Sequence, residues 1–187
     1  MTSNHWLDLR RHPSTPSTIV RSVKAAVRRS PGAELQIRFR LDGNISQILI
    51  PSAEVLRMTE GLWRHTCFET FIAVDGQPAY HEFNFAPSGE WGVYAFSGYR
   101  KGGFLNDEAM RPVIETHSSD SFLELDAIVR LDRLSAAHGR GTLRIGLSAV
   151  VEASDGFSYW ALRHFGEKPD FHNAEGFGIL SEPASEP

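Results

Sequence analysis

Cysteine is nearly absent from this 187-residue chain. Cys67 stands alone, so an intrachain disulfide and a cysteine-rich metal site are both excluded, and a reducing compartment is compatible with the sequence. No apolar run approaches the length of a membrane span, and the opening residues MTSNHWLDLRRHPSTPST hold no apolar stretch behind a basic one. The expectation is a soluble, cytoplasmic protein. An excess of positive charge is missing as well. The 19 Lys and Arg residues face 23 Asp and Glu, a formal net charge of -4, which offers no overall attraction to nucleic acid or to an anionic membrane. Neither is expected as a partner, and the sequence leaves a protein partner open. A phosphate-binding glycine loop, a dinucleotide fingerprint, a nucleophile elbow and an internal repeat are also lacking.

Helical periodicity is scarce too, and a period of two takes its place. In ELQIRFRLDG, Leu35, Ile37, Phe39 and Leu41 alternate with Gln36, Arg38 and Arg40, the pattern of a strand with one wet face. FLELDAIVRL and TLRIGLSAVVE repeat it, so three long strands are expected to share an apolar face. Shorter strand candidates are TIVRSVKAAVR, ISQILI, TCFETFIAV, AYHEFNFA, EWGVYAFS, PVIETH and FSYWALRH, separated by turn formers such as Val74-Asp75-Gly76 and Ser154-Asp155-Gly156. Short helices are expected only in PSAEVLRMTE and LDRLSAAHG, and the two ends read as a surface arm and a frayed tail. About ten strands with close turns predict an all-β fold, an antiparallel β-sandwich. With 41% hydrophobic and 22% charged residues, the chain is ordinary globular material. One domain spanning residues 1–187 is expected, with its core from about residue 10 to residue 180.

Two strands break the sandwich pattern. TCFETFIAV is apolar on both faces except for Thr66, Thr70 and Glu69, so the Glu69 carboxylate falls on an otherwise covered sheet surface. AYHEFNFA alternates His81, Phe83 and Phe85 with Tyr80, Glu82 and Asn84. If the two are neighbours joined through Asp75-Gly76, then Glu69, Glu82 and Asn84 share one face. Such a polar patch in an aromatic frame suits a sugar, whose hydroxyls seek bidentate acceptors while its C–H faces pack on rings. Trp63, Trp91, Tyr94, Tyr159 and Trp160 are available as platforms, and Arg100, Lys101 and Arg163 as cations at the rim. The plainer readings are core packing for the tryptophans, an ion pair for Glu69 with Arg64, Arg100 or Arg163, a turn-holding role for Asn84, and solvated loop charge for Lys101.

Eight histidines raise a metal question. His164 and His172, with Asp170 between them, do not have a recognised ligand spacing, and structural histidines are the better reading. Cys67 has His65 two residues away but no orienting third group for nucleophilic catalysis.

The segments GLWRHTCFETFIAV, YHEFNFAPSGEW, GYRKG and SYWALRHFGEKPDFHNAEGFGI together resemble the DOMON-like family, within the superfamily that joins DOMON domains to family 9 carbohydrate-binding modules. The resemblance runs from about Arg10 to Leu180. It implies a β-sandwich that binds sugar or haem at one end or face. In the sugar-binding branch a Trp just before the acid-bearing strand and a second Trp late in the chain clamp the sugar, and Trp63 and Trp160 match those places. Glu82, Asn84, Arg100 and Lys101 fall where that branch has polar contacts. Such modules are usually secreted and joined to a glycoside hydrolase, whereas this sequence shows neither an export signal nor a catalytic domain.

The expectation is therefore a non-catalytic domain that binds a saccharide or sugar-containing metabolite and needs no cofactor, with calcium left open. Its site would comprise Trp63, Glu69, Glu82, Asn84, Arg100, Lys101, Trp160 and Arg163. The alternative is a haem-binding electron-transfer or sensing domain, with Met58, His65 and His81 as axial candidates. A third reading, a small glycoside-acting hydrolase, would place the Glu69 and Glu82 carboxyls roughly 5–10 Å apart across an open cleft.

Overall fold

The alternating segments build two antiparallel sheets that face each other. A computed structural model describes residues 5–52 and 57–183. The first sheet contains β1 (Leu7–Arg11), β2 (Val20–Ser30), β3 (Glu34–Gly43), β8 (Val113–Ser118) and β9 (Phe122–Arg130). The second contains β4 (Cys67–Val74), β5 (Tyr80–Phe85), β6 (Trp91–Phe96), β7 (Gly102–Phe104), β10 (Leu143–Ala153), β11 (Gly156–Ala161) and β12 (Ile179–Ser181). Strand order runs β7-β6-β5-β4-β10-β11-β1-β2-β3-β9-β8, with β12 on β10. β1 joins the layers, because Leu7, Asp8 and Leu9 pair with β2 while Arg10 and Arg11 pair with β11. The sheet curls there and closes on itself as a sandwich.

Why the layers close is visible in the period of two. β3 and β9 turn Leu35, Ile37, Phe39, Leu41, Leu123 and Leu125 inward, and these meet Phe68, Ile72, Phe83, Phe85, Ile145 and Leu147 of the second sheet in one core. Phe39 stacks on Phe68 across the gap at 4.9 Å. Two of the three long strands are thus neighbours, and the third, β10, presents its apolar face from the opposite layer. On the outer side of the first sheet Arg40 pairs with Glu124 at 2.7 Å and Asp42 at 2.9 Å, so that face is wet as expected.

Several local expectations change. ISQILI forms a 3-10 turn, Ile45–Gln47, followed by a single bridge from Ile48 to Ala153. LDRLSAAHG forms two short helices, α1 (Leu131–Leu134) and α2 (Ala136–Arg140), the second capped by the Ser135 side chain. Of the other helix candidate, PSAEVLRMTE, residues 53–56 lie outside the described residues, and the described remainder holds no helix, Met58 forming a single bridge to Trp91. Part of the arm is strand β1 and part of the tail is strand β12, and tertiary pairing supplies what their composition does not.

The outer face of the second sheet is covered rather than wet. Leu62, Cys67 and Ala86 cluster at one end, and Phe71, Ala73, Tyr80 and Phe177 at the other. Gly146 makes room for the second cluster: a Cβ there would sit 2.6 Å from the Phe177 ring. Between the two clusters the sheet is left open.

Candidate functional site

That opening is a cleft of about 460 Å³, within the ~300–1,000 Å³ typical of small-ligand sites. Its floor comes from strand register. On β4, Glu69 lies opposite Ser148 of β10 and Asn84 of β5; two residues on, Phe71 lies opposite Glu82, which itself lies opposite Tyr94 of β6. Glu69 and Glu82 are therefore diagonal neighbours on one face, with Cα atoms about 7–8 Å apart. Val150, Tyr94 and Phe96 complete the floor.

Loops raise the walls. Gly61 starts a 3-10 turn, Leu62–Arg64, from a left-handed backbone at φ 81°, and its N–H donates to the Tyr94 hydroxyl at 2.8 Å. Leu62 anchors the turn in the sheet, so Trp63 is presented outward, 48% exposed, at the cleft edge. Opposite, Pro169, Phe171 and His172 arrive from the segment after β11, with Tyr159 of β11 beside them and Arg100 from the β6–β7 turn.

The carboxylates are buried with weak partners. Glu69 is 3% exposed and accepts one hydrogen bond, from Ser148 at 3.1 Å. Burial, followed by the charge of Glu82, pushes its pKa well up. Glu82 accepts from the Asn84 amide at 2.9 Å and lies 3.7 Å from His172 Nε2. Burial raises its pKa to about 7, against the opposing effects of Asn84 and Arg100. Both carboxyls are therefore held toward their protonated forms, and the two titrate as a pair. His172 supplies no compensating charge, because burial and Arg100 press its pKa down to about 4.

A hydrogen-bonded strut fixes the rim. The Arg100 N–H donates to the Tyr80 hydroxyl at 3.2 Å, and that hydroxyl bonds His172 Nδ1 at 2.9 Å. When Tyr80 donates its proton to Nδ1, the imidazole N–H falls on Nε2, facing Glu82. Asp170 binds Arg100 at 2.8 Å, the Tyr99 hydroxyl at 2.7 Å and the His172 N–H at 3.2 Å. Burial works to raise the Asp170 pKa, but the bonds from Tyr99 and Arg100 hold it below its ordinary value.

Of the eight expected site residues, Trp63, Glu69, Glu82 and Arg100 line the cleft and Asn84, Lys101, Trp160 and Arg163 do not, while the platform candidates Tyr94 and Tyr159 line it as well. Trp160 belongs to the core between the sheets, its indole N–H donating to Ser158 at 2.9 Å; the next residue back, Tyr159, takes the cleft side because adjacent strand residues face opposite ways. Trp91 is likewise core. Asn84 is fully buried behind Glu82, Lys101 is exposed beyond the rim, and Arg163 borders a separate crevice with Asp170 and Phe177. Phe96, Val150, Pro169, Phe171 and His172 line the cleft without having been identified. The two strand residues were detectable by alternation with Tyr94 and Ser148, whereas the loop residues carried no periodic signal.

The haem candidates are scattered. Met58 packs against the core, His65 is exposed and bonded to Glu152 at 2.7 Å, and His81 lies on the inner face of β5 with its ring 5.1 Å from that of His138. None of the three lines the cleft. His164 bonds the Arg10 carbonyl, far from the partners of His172, and no His, Cys, Asp and Glu cluster among the described residues is arranged to hold a metal ion. The Cys67 thiol is buried and directed at the Phe68 carbonyl, so it forms no dyad with His65. Glu69 and Glu82 stand side by side on the floor of one open cleft.

No family model and no curated protein matches the chain. Solved structures do. A putative carbohydrate-binding protein from Bacteroides uniformis aligns with a TM-score of 0.65 at 15% identity, over 93% of this chain and 84% of that one. A family 9 carbohydrate-binding module from Caldicellulosiruptor kristjanssonii in complex with glucose aligns with a TM-score of 0.58 at 10% identity, over 98% of this chain and 85% of that one. The same organism's module in complex with cellotriose gives 0.56 at 12% identity, over 97% and 84%. At such identities the likeness establishes the fold, a β-sandwich of the kind seen in family 9 carbohydrate-binding modules.

Proposed function

We propose that the cleft binds a saccharide or sugar-containing metabolite without acting on it chemically, in line with the resemblance of the sequence to DOMON-like domains and family 9 modules. The observation that carries this reading is Trp63, a large half-exposed ring held by a glycine-initiated turn at the edge of a cleft whose floor holds two buried acids. The Arg64 guanidinium lies 5.3 Å from the ring centroid, and a pyranose offers C–H faces that pack on such a ring. Glu69 and Glu82 then receive sugar hydroxyls, and Arg100, already fixed by Asp170, donates from the rim. Tyr159 and Phe171 form the facing aromatic wall in place of Trp160. The nearby fold relatives, one bound to glucose and one to cellotriose, support a sugar as the ligand class.

Calorimetric titration with a panel of mono- and disaccharides tests the proposal. At least one sugar binds, and Trp63→Ala weakens it by about 1–3 kcal/mol, the range of a stacking hot spot, while the melting temperature stays put. Unchanged affinity in that variant would remove Trp63 from the site.

A further inference from the structure

We infer that the ligand of this cleft carries a protonated amine, an amino sugar rather than a neutral one, with the ammonium group seated between Glu69 and Glu82 and enclosed by the aromatic rings around them. The inference rests on the saccharide reading for the ring and on independent geometry for the charge. Two carboxylates lie diagonally adjacent on one floor, 3% and 4% exposed. No lysine or arginine among the described residues comes within ion-pair distance of either. Arg100, the nearest cation, is committed to Asp170 at 2.8 Å. His172 approaches Glu82 only to 3.7 Å and its other nitrogen is bonded to Tyr80. The acids thus have neutral donors, Ser148 and Asn84, and no resident countercharge.

The walls point the same way. Trp63, Tyr94, Phe96, Tyr159 and Phe171 set π-faces and edges around the acids, and aromatic faces attract a cation most strongly when it is withdrawn from water. An ammonium group has three donors, enough to serve both carboxylates at once with charge-assisted bonds. A sugar hydroxyl supplies one donor and no charge. It would leave the second acid to remain protonated, while an ammonium lets both ionise. Binding of the amine therefore expels the proton that the pair holds near neutrality. The groups facing the pair are Tyr94 from β6, Tyr80 and Asn84 from β5, Cys67 from β4, Ser148 from β10, and Arg100 and His172 from the loops. His172 is already neutral and Arg100 stays charged, so the released proton comes from the carboxyls.

The test is calorimetric titration of the full chain at pH 7 with glucosamine, galactosamine and mannosamine, each against its parent hexose and its N-acetyl derivative, and with cyclohexylamine as an amine ring lacking hydroxyls. At least one hexosamine is expected to bind about tenfold or more tighter than both of its neutral counterparts. Its apparent enthalpy should depend on buffer ionisation, reporting proton release. Glu69→Gln and Glu82→Gln should each reduce that preference to about twofold or less while the far-UV circular dichroism stays that of the parent, which separates lost charge from lost fold. A neutral hexose binding as tightly as its amine overturns the inference and leaves the saccharide reading standing. Cyclohexylamine binding where every sugar fails sustains the ammonium seat and overturns the saccharide reading. Failure of every probe overturns both.

Discussion

Burial of Glu82 has a measurable consequence for stability. Its pKa rises from 4.5 to about 7 in the folded protein, so between those values the native state holds a proton that the unfolded chain has released. Stability must therefore fall as pH rises through that window, opposite to the usual behaviour of a salt-bridged carboxylate. Full ionisation of a group shifted this far costs about 3 kcal/mol, and relaxation of its neighbours brings the expected loss to about 1–3 kcal/mol. Glu82→Gln removes the charge and keeps the oxygen that accepts from Asn84. Relative to the parent, this variant should be more stable by about 1–3 kcal/mol at pH 8.5, which for a chain of this size raises the melting temperature by about 2–10 °C. At pH 5 the advantage should vanish or reverse slightly, since the amide offers His172 Nε2 no acceptor as good as the acid. Urea unfolding and calorimetry at the two pH values measure both ends. If Glu82→Gln destabilises the protein as much at pH 8.5 as at pH 5, the carboxylate is not the strained group inferred here.

The two adjacent aromatics of β11 should separate cleanly. Trp160→Ala opens a core cavity and should cost about 3–5 kcal/mol in urea unfolding, whereas Tyr159→Ala should cost far less and instead weaken whichever ligand the cleft binds. Gly146→Ala drives a methyl group into the Phe177 ring, and a loss of about 1–3 kcal/mol with faster amide exchange around residues 171–178 is expected; an unchanged melting temperature would mean that this segment seats without the glycine. Burial also raises the Cys67 thiol pKa far above its ordinary value, so the native protein should resist iodoacetamide at pH 8 and react only when unfolded.

How much of this was legible in the sequence depends on which physical signal each residue carries. β3, β9 and β10 announce themselves because a sandwich needs one dry face, and alternation over nine or more residues reports it. The floor of the cleft is legible for the converse reason: Glu69 and Glu82 violate the dryness of a covered face, and a violation that persists must be supported locally, here by Ser148 and Asn84. β11 defeats the same logic. Its run Phe157, Ser158, Tyr159, Trp160 puts aromatics on both faces, and the one small polar residue turns inward to satisfy the Trp160 indole, so polarity gives the wrong phase. Only the register with β10, Val150 opposite Tyr159 and Ala149 opposite Trp160, decides which ring faces the cleft. The wall residues Pro169, Phe171 and His172 have no period at all, and their place is set by Asp170 gripping Arg100 and Tyr99 about 70 residues away in the chain. A site of this design keeps its charge chemistry in strands, where spacing encodes it, and its shape in loops, where tertiary contacts do. Changes of ligand specificity should accordingly concentrate in residues 61–65, 97–103 and 165–172, with the acidic floor setting what charge those walls can enclose.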